Sequence, residues 1–270
     1  MTAAQFRVDP GVLDDARVGD LVTVTGSEAH HAVRVRRLAA GEPVRCADGT
    51  GRGVAGVVEA AGGPRGDTLT IRVIAVLELA SPGPSFVLVQ ALAKGGRDEL
   101  AVEAATELGV DEVLAWQAER SIVRWRPERA AKSLAKWQHL VTAAAKQARR
   151  LTEPTVRGPV STAEVAARLA AAVQAGGAAY VLHEEAEQPL AGRALPTGGE
   201  VVLVVGPEGG IAPGELAAIA AAGAVPVRLG ENVLRSSTAG PAALAVLSAA
   251  GRWRSGPPGP GDEDAGAGSP

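Results

Sequence analysis

The chain has 270 residues, enough for one large or two small domains, and its 46% apolar content with mean hydropathy +0.11 can fill a sizeable core. No run of about 18 uncharged apolar residues occurs, which excludes a membrane-spanning helix. The single cysteine, Cys46, excludes an intrachain disulfide, and one cysteine with four dispersed histidines gives no zinc spacing. The start, Met1 to Arg7, lacks the apolar core of a signal peptide, so a cytoplasmic protein without a bound metal is expected. Net charge is −3, and Asp262, Glu263 and Asp264 account for it. Residues 120–150 hold nine cations (Arg120, Arg124, Arg126, Arg129, Lys132, Lys136, Lys146, Arg149 and Arg150) against Glu128 alone. Such a run is either a solvated helix face or a surface for phosphates, whatever the total charge.

Residues 1–80 read as a small β domain. Short strands are expected at Leu21 to Thr25, Pro43 to Ala47, Arg52 to Glu59 and Thr68 to Leu77, separated by Gly/Asp/Pro turns, a spacing that suggests a barrel. A short helix capped by Ser27 interrupts them and carries His30, His31, Arg34, Arg36 and Arg37. Adjacent histidines on a helix point about 100° apart, which suits hydrogen bonding and phosphate contacts better than metal ligation. Ser81-Pro82-Gly83-Pro84 is the linker, because Pro and Gly continue neither regular element.

Residues 85–254 alternate strands and helices, the pattern of an α/β sheet covered on both faces. Phe86 to Ala91 is a buried strand, followed by Lys94-Gly95-Gly96-Arg97 and a helix from Asp98, its cap, to Leu108, with Leu100, Ala101, Ala104, Ala105 and Leu108 as its stripe and Gly109 as its stop. Glu103 and Glu107 share one side of it, as an acid/base pair or an exposed face. A strand at Glu112 to Trp116, a basic helix from Pro127 to Arg149, an Ala-rich helix from Glu164 to Ala175 and a strand from Ala178 to Leu182 follow. Residues 255–270 are a disordered tail by composition.

The chemistry-bearing stretch is 200–248. Val201 to Val205 reads as a strand buried on both faces, ending in Gly206-Pro207-Glu208-Gly209-Gly210 before a helix opened by Pro213 and Glu215. Val225 to Leu229 forms a second strand. Gly230 to Arg235 turns into a helix running to Ala250, with Ser236, Ser237 and Thr238 as N-cap candidates. Two strand–loop–helix units can wall one pocket, and a glycine loop brings bare backbone to a nucleotide-like ligand. The loop is neither a Walker nor a dinucleotide-binding loop, which argues against a nicotinamide oxidoreductase.

The pairing of Gly206-Pro207-Glu208-Gly209-Gly210 with Leu229-Gly230-Glu231-Asn232-Val233-Leu234-Arg235-Ser236-Ser237-Thr238-Ala239 resembles the RsmE family. So do Ala105-Thr106-Glu107-Leu108-Gly109-Val110, Arg120-Ser121-Ile122, the series Trp137, Leu140, Ala144, Gln147 and Arg150, and the segment His30 to Arg37. These are SPOUT-class methyltransferases that methylate N3 of a uridine in small-subunit ribosomal RNA with S-adenosylmethionine. The resemblance implies an N-terminal PUA-like β-barrel domain, a C-terminal α/β methyltransferase domain with a deep trefoil knot, and a homodimer whose partner is 16S ribosomal RNA within the small subunit. It places the cofactor between Leu182, His183 and Glu184, Gly206 to Gly210, and Leu229, Gly230, Val233, Leu234 and Arg235.

It also implies RNA contacts by His30, His31, Arg34, Arg36, Arg37, Lys94, Arg120, Lys146, Gln147, Arg149 and Arg150. Arg235 is the first catalytic candidate, to stabilise a uridinate or to bind its own loop carbonyls. Glu208 is the second, as a base or as a brace for the glycine loop. The chain departs from the family pattern at Asn232, often an arginine there, at Ser236-Ser237 in place of Thr-Glu, and at Ala143 and Lys146, which replace acids. The alternatives are a SPOUT ribose 2′-O-methyltransferase and a non-catalytic RNA-binding or ribosome-assembly factor.

Overall fold

The computed structural model describes residues 3–63, 66–79 and 83–254; Ser81 and Pro82 of the expected linker and the 255–270 tail lie outside them. The chain divides into two compact units, one of residues 1–82, 102–113 and 125–159, the other of residues 83–101, 114–124 and 160–270. Among the described residues no helix is long and apolar enough to cross a membrane.

The first unit is built on a five-stranded sheet in the order β1-β3-β4-β5-β2. Its strands are β1 (Ala4–Arg7), β2 (Leu21–Thr25), β3 (Pro43–Ala47), β4 (Arg52–Gly62) and β5 (Thr68–Glu78). The long hairpin partners β4 and β5 run past their expected ends, and β1, too short to show a period in the sequence, pairs parallel with β3. The expected barrel is an open ladder at β1 and β2, which are not neighbours in the sheet order. Period-2 alternation turns Val22, Val24, Val44, Cys46, Leu69, Ile71 and Val73 onto Phe6, Leu13 and Ala29 in one core. Ser27 does not cap: it lies inside α1 (Gly26–His30), whose N-cap Thr25 makes no side-chain bond, and the chain continues as a π-helical turn over His31–Val35.

Helix α3 (Pro127–Gln147) belongs to this same unit. Its Trp137, Val141, Ala144 and Ala145 are buried, and Trp137 meets Trp125 edge to face with ring centroids 5.1 Å apart. Polar clamps fix the opposite flank of this packing. Lys146 Nζ donates to Glu28 Oε2 at 2.6 Å, Arg7 Nη1 to Glu153 Oε2 at 2.6 Å, Gln138 Nε2 to Glu153 Oε1 at 2.9 Å, and the Thr142 hydroxyl also donates to Glu153. Arg150 Nη1 donates to the carbonyls of Thr106 and Val110, both at 2.7 Å.

The second unit is organised by strands buried on both faces. β6 (Ser85–Ala91), β9 (Ala178–Leu182), β10 (Glu200–Val205) and β11 (Val225–Val227) are its strands, in the order β11-β9-β10-β6; the sheet order ends with β7 (Glu112–Trp116), whose first two residues belong to the first unit, and β8 (Thr155–Val160), of which all but Val160 belongs to the first unit. β10 pairs parallel with β6 and β9, and β9 parallel with β11. Alternate residues Val87, Val89, Ala179, Val181, Val202 and Val204 pack on Val165 and Leu169 of α4 (Thr162–Gln174) and Ile219 of α5 (Pro213–Ala221). On the other side, Gly240 of α6 (Ser236–Ala250) lies so close to the sheet that a Cβ there would sit 3.0 Å from Leu88.

Strand β8 was not expected, since Gly158-Pro159 breaks the pattern, and its place at the end of the sheet order is where a strand tolerates proline. Helix α2 (Arg97–Glu107) begins one residue before Asp98, so that side chain does not cap from outside. It lies buried in the first turn, accepting N–H bonds from Ala93 and Glu99. Leu100 is 56% exposed, and the buried stripe is Ala101, Val102, Ala105 and Thr106 instead, rotated one position; Glu103 and Glu107 are exposed. Arg235, with no side-chain cap bond, occupies the N-cap of α6, and Ser236 is its first residue.

Two measurements check this packing. Leu203 is fully buried in β10, and Leu203→Ala should lower unfolding free energy by about 2–5 kcal/mol in denaturant titration; a loss below about 1 kcal/mol would contradict the burial. Cys46 is buried, and that burial, aided by the Glu28 charge and opposed by Lys146, pushes its thiol up to about 12. It should resist a maleimide reagent at neutral pH in the native protein and react on unfolding.

Candidate active site

The C-terminal ends of β9, β10 and β11 release three loops that enclose a cavity of about 350 Å³, within the size range of small-molecule sites. Leu182, His183 and Glu184 line it from β9, Gly206, Pro207, Glu208 and Gly210 from β10, and Leu229 to Arg235 from the loop after β11. Every residue expected around the cofactor therefore meets in one cavity except Gly209, which is absent from the lining. Sequence reasoning missed Arg97, Val205, Ile211, Val227 and Arg228 in the wall. Arg228 follows directly on β11, so its place at a strand's carboxyl end was readable. Arg97 required knowing that β6 lies beside β10.

The glycine loop is held from two sides. Glu208 Oε1 accepts Arg97 Nη1 at 2.9 Å and the Lys94 amide at 3.3 Å. Burial alone would raise the Glu208 carboxyl, but hydrogen bonds from its own amide, from Arg97 and from Lys94, with the Arg97 charge, hold it below the usual carboxylate range. A carboxylate stabilised in this way is a poor proton acceptor. These contacts suit the bracing role expected of Glu208 better than the role of a base. On the other flank Arg120 Nη1 donates to the Gly209 carbonyl at 3.2 Å. A Cβ on Gly209 would lie 3.3 Å from Arg120 Cβ, so glycine is what lets the arginine close on the backbone.

Behind this contact, the buried Glu215 carboxylate accepts from the Glu119 amide at 2.9 Å and the Thr162 hydroxyl at 2.6 Å, which also accepts from Trp116 Nε1 at 3.2 Å. Glu215 also accepts the Ala212 amide at the N-terminus of α5. One buried carboxylate thus ties the segment carrying Arg120 to the helix that follows the glycine loop.

Arg235 is exposed at the cavity, and among the described residues its guanidinium has no hydrogen-bond or ion-pair partner, so it does not bind its own loop carbonyls. His183 Nδ1 accepts the Glu185 amide at 3.3 Å, which leaves Nε2 as the ring's donor when the imidazole is neutral. Asn232 also lines the cavity.

The expected RNA-contact residues separate into two sets. His30, Arg34, Arg36, Arg37, Lys94, Arg120 and Gln147 are exposed, while His31 and Arg149 are half-buried, His31 with its ring centroid 6.2 Å from that of Phe6. Lys146 and Arg150 do not fit the expectation: Lys146 is neutralised by Glu28, and Arg150, 12% exposed, spends its donors on backbone carbonyls and Asp111. Both hold α3 in place. Among the described residues no group of three or more His, Cys, Asp or Glu is arranged to hold a metal.

Because the Glu208 value is lowered in the folded chain, its pairing stabilises the loop above the ordinary carboxylate range and is lost only as pH falls through the lowered value. In Arg97→Ala the carboxyl should titrate at higher pH than in the parent chain, read by NMR of the side-chain carboxyl carbon. An unchanged titration would show that Arg97 does not hold it.

Comparison with known proteins agrees with this geometry. Residues 81–248 match the family described as RNA methyltransferase domain, and residues 24–66 the RNA methyltransferase PUA domain. Ribosomal RNA small subunit methyltransferase E of Mycobacterium tuberculosis is 46% identical over 254 residues, 94% of each chain. That of Bacillus subtilis is 27% identical over 84% of this chain and 89% of its own. A methyltransferase from Legionella pneumophila, solved in complex with the bound cofactor SAM, has a TM-score of 0.72 at 27% identity, covering 93% of this chain and 98% of the other. The Neisseria gonorrhoeae ribosomal RNA small subunit methyltransferase E, at 24% identity and a TM-score of 0.76, shares the fold. The α/β unit is thus a SPOUT methyltransferase fold accompanied by a PUA-like domain. With nearly its whole length aligned at 46% identity and its loops converging on one cavity, the chain belongs to the ribosomal RNA small subunit methyltransferase E family.

Proposed function

We propose that this chain transfers a methyl group from S-adenosylmethionine to N3 of a uridine in 16S ribosomal RNA of the small subunit. The observation that carries the reading is the convergence of the three loops, Leu182 to Glu184, Gly206 to Gly210 and Leu229 to Arg235, on a cavity of about 350 Å³. It is supported by the relatives' name and by the relative solved with SAM. The residues fit that cofactor: side-chain-free loop backbone for close approach, apolar walls from Leu182, Val205, Ile211 and Val227, and polar groups at the rim. A threaded C-terminal trefoil knot, a homodimer and a cytoplasmic setting belong to the same reading.

When bound, S-adenosylmethionine supplies an activated methyl on a sulfonium. The chain must then bind, orient and exclude water. Arg97 and Arg120 immobilise the glycine loop from both flanks, so its backbone presents fixed dipoles to the cavity. Uridine N3 carries a proton on the pairing edge, so the base must be unpaired to reach the site. Loss of that proton leaves a negative charge over N3 and its flanking carbonyls. The unpartnered Arg235 guanidinium at the cavity is the cation that stabilises it. Its neighbours Asn232 and Ser236 are polar and uncharged, and the other cation of the loop, Arg228, sits at its start beside β11.

Calorimetry should show S-adenosylmethionine binding to the parent chain and, within a few-fold, to Arg235→Ala. Methyl transfer at saturating RNA should fall about 100- to 1000-fold in Arg235→Ala, with native thermal unfolding. Full transfer by the variant would remove Arg235 from the chemistry, and absence of cofactor binding by the parent would remove the cofactor reading.

A further inference from the structure

Helix α3 carries positive charge on the side that its packing leaves outward. Its buried side is Trp137, Val141, Ala144 and Ala145. Arg129, Lys132, Lys136 and His139 follow one another at spacings of three, four and three residues, and all four are exposed. At about 100° per residue they fall within an arc of about 80°, turned away from the buried side, and span about 15 Å of helix. Among the described residues neither Arg129 nor Lys132 has an ion-pair partner.

The exposed line contains no carboxylate between Arg129 and His139; Glu128, at the first turn, precedes it. Arg129 lies in the first turn, where positive charge works against the helix dipole. At Arg129 the charge therefore does not stabilise the helix, and both side chains lie outside its packing. By contrast, the cations that do hold this unit together, Lys146 and the Arg7 opposite Glu153, are each paired with a carboxylate. The helix thus has a fixed inner side and an outer cationic line that begins with two charges the fold leaves unmatched.

We propose that Arg129, Lys132, Lys136 and His139 form a rail for the phosphate backbone of the RNA substrate, outside the nucleotide that receives the methyl group. The spacing suits successive phosphates of one strand, and helix side chains offer no base-reading geometry to a narrow A-form groove, so the contact is insensitive to sequence. The clamps at Glu28 and Glu153 keep the rail rigid, which lowers the ordering cost of binding. This rests on the reading that the substrate is RNA.

The test compares the parent chain with Arg129→Ala/Lys132→Ala/Lys136→Ala, whose alanines favour helix at exposed positions. Binding of a hairpin RNA carrying a small-subunit sequence is followed by fluorescence anisotropy from about 50 to about 300 mM salt. Three lost phosphate contacts should reduce the slope of log K against log salt by about 2 to 3. KM for RNA should rise more than about tenfold while kcat and S-adenosylmethionine affinity stay within about twofold. The charge-retaining Arg129→Lys/Lys132→Arg/Lys136→Arg should keep the parent slope.

An unchanged slope in the alanine variant would overturn the rail. A loss of affinity with the slope retained would do the same, because it would signal altered structure. If the alanine variant loses the expected slope but the parent chain methylates no RNA, the rail stands and the proposed reaction falls. If the parent methylates RNA and the alanine variant keeps the parent slope, the reaction stands and the rail falls.

Discussion

The site depends on strands that are buried on both faces. β9 and β10 carry apolar residues at every position of their interiors, and β6 does so except at the buried Gln90, so helices must cover both sides of the sheet. Parallel pairing then puts the carboxyl ends of β9, β10 and β11 side by side, and their outgoing loops have nowhere to go except around one cavity. The pocket is a consequence of the core. Its loops can be glycine-rich and polar because the strands beneath them fix their ends.

Fixed ends do not by themselves fix a glycine loop. Here the loop is stitched to its neighbours by charged side chains. Glu208 reaches Arg97 and the Lys94 amide on one flank, and Arg120 reaches the Gly209 carbonyl on the other. The buried Glu215 carboxylate holds the Arg120 segment from below, with three distinct residues donating to it and none of them a cation. Such fully satisfied polar networks specify a single arrangement, and that preorganisation is what methyl transfer demands of a protein whose cofactor brings its own reactivity. The charges with partners build the site, and Arg228 and Arg235, without one among the described residues, line the cavity.

Much of this was legible in the residues. The apolar run Val201 to Val205, the glycine loop after it and the Pro213 helix start were each found where the sequence placed them, because a buried strand, a loop and an N1 proline each have a local signature. β8 was not legible, since Gly158-Pro159 reads as a breaker and only its position at the end of the sheet order makes it tolerable. The roles of charged residues were the least legible. Lys146 and Arg150 look like any other member of the basic run until Glu28 and the Thr106 and Val110 carbonyls are brought beside them by contacts at least 40 residues distant in sequence. Glu208 likewise read as base or brace, and the arginine that pairs with it, Arg97, lies 111 residues earlier.

The most direct test of the account is the identity of the methylated nucleoside. Small ribosomal subunits from cells lacking this protein would be incubated with the purified chain and isotopically labelled S-adenosylmethionine, and the RNA digested and analysed by mass spectrometry. The account predicts labelled N3-methyluridine that depends on both protein and cofactor. A label on a ribose hydroxyl would contradict it in favour of 2′-O transfer, and no label despite demonstrated cofactor binding would contradict it on the substrate.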